Sequence, residues 1–155
     1  MNALDFARTL LNNEKCIKET DLLIIEGDTK LSETQGFING VSQTEQLLYS
    51  AGFELLYKSL DLKSCKVVDL SEKEIYELYN SVDSIKSSRK YDEYRQHLQE
   101  AIEGKKNYLF NDAKKGRELN FVIGWKKAIF FIDKVFSDIE ETYNYYKEKG
   151  STFDF

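Results

Sequence analysis

No proline occurs anywhere in the 155 residues, and apolar side chains recur along them every three or four positions. Proline would remove a backbone donor and break a helix, so this chain is free to bury itself as a series of amphipathic helices. Two start signals punctuate the pattern. Ser32-Glu33-Thr34-Gln35 and Ser71-Glu72-Lys73-Glu74 have the form of capping boxes, in which the serine side chain and the residue three positions on satisfy each other's free backbone amides. Phe37, Val41, Leu48, Ala51 and Leu55 follow the first box and predict a helix over about 33–60. Ile75, Leu78, Tyr79, Val82 and Ile85 follow the second, and Ser87-Ser88 ends it.

The remaining segments read in the same way. Asn2 can cap a short first helix carrying Leu4, Ala7, Leu10 and Leu11, which Asn12-Asn13 ends. Tyr91, Tyr94, Leu98, Ala101 and Ile102 mark another helix, with Gly104 suited to its C-terminal cap. From about 117 to 149 the helical pattern is strong enough to read as one last helix. Its main face holds Phe121, Trp125, Ile129, Ile132, Phe136, Ile139 and Tyr143, and a second ridge holds Leu119, Ile123 and Phe130. Two apolar faces predict a central helix packed by several neighbours. Gly36, Gly40 and Thr44 share one line of the 33–60 helix, where small residues let another backbone come close. The apolar runs at 22–25 and 66–70 fit helix ends or a pair of short strands. The expectation is therefore all-α: a single helical domain over 1–155, a compact bundle of five or six helices, with one short two-stranded β-ribbon at 22–25 and 66–70 as the variant these runs allow. Hydrophobic residues at 41% and aromatics at 14% exclude a disordered chain.

Targeting and redox signals point to the cytoplasm. Asp5 interrupts the first residues, which lack the basic and apolar regions of a signal peptide. Lys126, Lys127, Asp133 and Lys134 interrupt the most apolar stretch, Phe121 to Phe136, so no membrane span is expected. Cys16 and Cys65 match no metal-ligand spacing and read as reduced thiols, and no metal or cofactor is expected.

Catalytic templates fit poorly. The chain has no phosphate-binding glycine loop, no HExxH and no GxSxG elbow, and its one histidine is His97. Glu93, His97 and Glu100 share one helix face, where a carboxylate could orient the imidazole as a general base, with Arg95 close in sequence. These residues carry the alternative reading, a helical RNA- or nucleotide-acting enzyme. The spacing from Arg89 or Arg95 to His97 does not match that of HEPN-type helical ribonucleases. A second alternative, a helical subunit of a nucleic-acid complex, rests on residues 86–127, which hold eleven basic and six acidic side chains. Its candidates are Arg89, Lys90, Lys105, Lys106, Lys114 and Lys115, interleaved with tyrosines. The net charge of −5 opposes that reading.

The favoured reading is a non-catalytic binding, inhibitory or regulatory partner of another macromolecule, of the kind that phage inhibitors and antitoxins exemplify. The candidate surface is the acidic end of the last helix: Asp138, Glu140 and Glu141, with Tyr145 and Tyr146 among them and Phe131 upstream. Exposed tyrosines supply rigid contact area, and the carboxylates would steer the chain toward a protein with a basic surface. A frayed tail is expected from Gly150 onward.

Overall fold

A computed structural model of the chain describes residues 1–54, 66–111 and 117–155, the side chains of 107–111 and Arg117 excepted. Among these residues there are six helices and no strand: α1 (Ala3–Asp21), α2 (Asp28–Ser50), α3 (Glu72–Lys86), α4 (Arg89–Asn111), α5 (Arg117–Ile129) and α6 (Phe131–Glu148), with a 3-10 turn at Val67–Asp69 before α3.

The two-stranded ribbon is therefore not formed. Leu23 N donates to Thr20 O, and Ile24 N and Ile25 N to Asp21 O, at 2.9–3.1 Å, so 22–25 is the winding-down of α1. At 66–70, Asp69 N and Leu70 N likewise donate to carbonyls three residues back. Both runs satisfy these donors locally and need no ladder. Helix bounds shift for similar local reasons. Asn2 caps α1 as its sequence predicts, accepting from Leu4 N and Asp5 N, but the helix continues through Asn12-Asn13 to Asp21. α2 starts at Asp28, ahead of the expected box, and Ser32 lies buried in its second turn. It stops at Ser50, and positions 55–60 of the expected helix lie outside the described residues. The Ser71 box forms as read, with Glu74 N donating to Ser71 Oγ at 3.2 Å. Gly104 sits inside α4 and caps nothing.

The tightest packing joins α2 to α5. A methyl group at Gly36 would run into the Phe121 carbonyl, and one at Gly124 into that of Glu33. At Gly40 it would lie 2.7 Å from both the Trp125 carbonyl oxygen and the Ala128 Cβ. Gly36 meets Phe121, Gly40 meets Trp125, and Thr44 Oγ1 reaches Ala128 O at 3.3 Å, so both helices run the same way. The line Gly36-Gly40-Thr44 read from sequence is thus the contact, matched by Gly124-Ala128 on the partner helix. Small residues four apart let two backbones touch, the geometry of close-packed membrane helix pairs, here in a chain with no described helix long and apolar enough to cross a membrane.

The expected 117–149 helix is two. Phe130 has φ −93° and ψ 2°, outside the α-helical region, and separates α5 on α2 from α6, which packs on α3 and α1. The second ridge is only partly covered: Leu119, Ile123 and Phe130 remain 43%, 39% and 37% exposed. Beneath, Phe6, Leu11, Leu48, Ile75, Leu78, Leu98, Trp125, Ile132, Phe136 and Ile139 form the core. One cation enters it. Arg8 forks onto Glu45, Nη2 to Oε2 at 2.9 Å and Nε to Oε1 at 3.3 Å, and Nη1 donates to Glu54 O at 3.2 Å. Three of the five guanidinium N–H donors are thereby paired, which ties α1, α2 and the segment after α2 together.

Candidate interaction surface

Ile132, Val135, Phe136 and Ile139 turn one side of α6 inward. Lys134, Asp138, Glu141, Tyr145 and Glu148, spaced by four, three, four and three, consequently share the opposite side. Tyr145 is 55% exposed on this stripe, with the Lys149 ammonium 5.4 Å from its ring centre. No cation among the described residues comes within ion-pair distance of Asp138, Glu141 or Glu148. Their charges act outward, around a large amphipathic ring.

The stripe collects three of the six residues singled out from sequence: Asp138, Glu141 and Tyr145. The other three lie elsewhere. Glu140 sits on the flank facing α3, paired with the Lys86 ammonium. Tyr146 is half-buried against the core, its ring 5.8 Å from that of Tyr145. Phe131 turns inward and meets Phe37 edge-on at 6.5 Å.

The catalytic candidates on α4 do not converge. Arg95 pairs with Asp133 of α6, to which the Tyr91 hydroxyl also donates at 3.3 Å. His97, two residues on, projects from nearly the opposite side of the helix. Its Nδ1 is 3.8 Å from Glu100, while Glu93 lies 3.9 Å from Arg89. Burial, and next the charge of Asp133, push the Tyr91 hydroxyl up to about 12, and the same causes raise Tyr94 further. Both stay protonated through the neutral range, so neither is a base there. The Tyr94 hydroxyl is fully buried with no hydrogen-bond partner among the described residues. No group of three or more metal-ligating side chains occurs among those residues either.

The basic candidates are dispersed. Arg89 and Lys90 open α4, and Lys105 follows about 24 Å further along it at 1.5 Å per residue. The Lys105 ammonium lies 5.9 Å from the Phe121 ring centre and 5.3 Å from that of Trp125, bridging α4 to α5. Lys106 is 3.9 Å from Glu103. Lys114 and Lys115 lie outside the described residues.

Two features escaped the sequence reading. The Arg8–Glu45 fork joins residues 37 positions apart, and no local pattern signals it. The other is the partial exposure of Leu119, Ile123 and Phe130, beside which Lys126 and Lys127 already place charge. Compared with protein-family models, with curated proteins and with solved structures, the chain matches none.

Proposed function

We infer that this protein is a non-catalytic binding or regulatory partner that docks through the outward stripe of α6 onto a basic surface of another protein. The observation that carries the reading is the stripe itself: Tyr145 stands exposed between Glu141 and Glu148, whose carboxylates have no cation within ion-pair distance among the described residues. An aromatic ring with a polar tip gives contact area at small entropic cost, and neighbouring unpaired carboxylates steer encounter with a positively charged partner. The separation of Arg95 from His97 gives no comparable support to an enzyme, and the spread of Arg89, Lys90, Lys105 and Lys106 gives little to a nucleic-acid surface.

A photo-crosslinking residue at position 145 tests this in a lysate of the cells that make the protein. The reading expects one saturable protein adduct that weakens as salt rises and disappears when Glu141 and Glu148 are reversed to lysine. An adduct indifferent to both charge reversal and salt would overturn it, as would capture of nucleic acid instead of protein.

A further inference from the structure

The segment after α6 is folded back rather than frayed. Gly150, at φ 90°, reverses the chain: Gly150 N donates to Lys147 O and Ser151 N to Tyr146 O, both at 3.1 Å. This is the paired bonding of a helix C-terminal glycine motif. Ser151 and Glu72 are then joined by a side-chain hydrogen bond of 3.1 Å, which fixes the segment to the start of α3. Phe153 is delivered into a slot between helices. Its ring stacks on Tyr143 at 4.6 Å and on Tyr76 at 5.5 Å, and Tyr143 stacks in turn on Tyr79 at 3.7 Å. The four rings form one pile, closed on the outside by Phe155, 5.8 Å from Tyr76.

The fit has a backbone cost. Phe153 is the single non-glycine residue with positive φ among those described, at 51°. A phenylalanine enters the left-handed region only where its surroundings hold it there. Here the ring stacks on Tyr143 and Tyr76, and the Phe153 amide donates to Ser151 Oγ at 3.2 Å. The slot is made by Tyr76 and Tyr79 of α3 and Tyr143 of α6, all of which belong to the body of the fold, whereas the occupant follows α6 and is held by the Ser151 bonds and the rings.

We propose that this tyrosine slot is a peptide-docking site, that 151–155 occupies it as an internal stand-in, and that the external ligand is an extended segment with two aromatic residues spaced like Phe153 and Phe155. The seated phenylalanine shows what the slot accepts, and its left-handed backbone shows why an unstrained chain can compete with it. Tyr143 lies on a different side of α6 from Tyr145, so this site is separate from the outward stripe.

The test is titration of the free peptide Ser-Thr-Phe-Asp-Phe into the whole chain and into F153A, read by chemical-shift changes of the tyrosine rings. While the slot is filled, the apparent affinity is reduced by the fraction of molecules in which it is open. F153A should therefore bind the peptide at least about tenfold more tightly than the unaltered chain, and should not bind Ser-Thr-Ala-Asp-Ala. S151A removes both the Glu72 bond and the one Phe153 N donates to Ser151 Oγ, without touching the slot, and should strengthen peptide binding in the same direction even if F153A does not fold. The proposal is overturned if a folded F153A or S151A binds no more tightly than the unaltered chain, or if both peptides bind alike.

Discussion

The helix pairs α2–α5 and α3–α6 solve the same packing problem with opposite materials. Between α2 and α5 there are almost no side chains: Gly36, Gly40, Gly124 and Ala128 bring backbone against backbone. Along the outer edge of α3 and α6, outside the aliphatic core, rings make the contact: Tyr79 stacks on Tyr143, with Tyr76 and Phe153 continuing the pile. A seam of missing side chains has nothing that can move aside, because a main-chain carbonyl is held by its own helix. A seam of rings can slide, and its edges can exchange neighbours. The first region is suited to holding the fold, and the second leaves aromatic surface available for binding.

The largest effect expected follows from that contrast. Gly124→Ala should destabilise the chain by about 3 kcal/mol, at the high end for overpacking, since the new methyl meets the Glu33 carbonyl and the two helices must part. Alanine's better helix propensity returns only about 1 kcal/mol. Tyr79→Ala, at the ring seam, should cost less than that, because the stack can close over the gap. Chemical denaturation of both variants checks the order. If Gly124→Ala were neutral, the backbone contact would not be what joins α2 to α5.

Arg8→Ala comes next, at about 2 kcal/mol: it leaves Glu45 without its partner, but Glu45 keeps some access to water, so the loss stays below that of a fully buried pair. A smaller effect belongs to Ser71→Ala, which should cost about 1 kcal/mol by leaving the first turn of α3 uncapped. Alkaline pH sharpens the comparison in another way. Tyr91 is raised from 10 to about 12 in the folded chain, chiefly by burial, so folding favours its protonated form. That contribution is full below pH 10 and is lost as pH climbs from 10 to about 12. Tyr91→Phe should flatten the fall in stability over that window, measured by denaturation at stepped pH.

What the sequence disclosed divides along the same line. Local rules carried Asn2, the Ser71–Glu74 box and the small-residue line Gly36-Gly40-Thr44, because each depends on neighbours within one or two turns. Ser32 misled because α2 begins one turn earlier at Asp28, and a capping pattern inside a helix is only a serine facing the core. The expected long final helix failed at Phe130, whose φ of −93° and ψ of 2° separate α5, packed on α2, from α6, packed on α3 and α1. The second ridge, expected to be packed, is only partly covered at Leu119, Ile123 and Phe130. On the candidate surface, the outward position of Asp138 and Glu141 was legible from period, whereas Tyr145 and Tyr146 were singled out together and only the structure separates the exposed ring from the half-buried one. Glu140 was not, since its engagement depends on Lys86, 54 residues away. The fold-back of 151–155 needed the slot between α3 and α6, and nothing in those five residues announces it.

The smallest stability effect belongs to the outward stripe and also gives the sharpest test of function. Glu141→Lys with Glu148→Lys should change stability by no more than about 0.5 kcal/mol, because neither side chain has an ion-pair partner among the described residues. With the partner protein identified by crosslinking from position 145, the decisive measurement is its association rate with this double variant against the unaltered chain at low and high salt. The account predicts slower association for the variant at low salt, with the two rates converging as salt screens the charges. Equal rates at every salt concentration would contradict it, and α6 would then not be the surface that finds the partner.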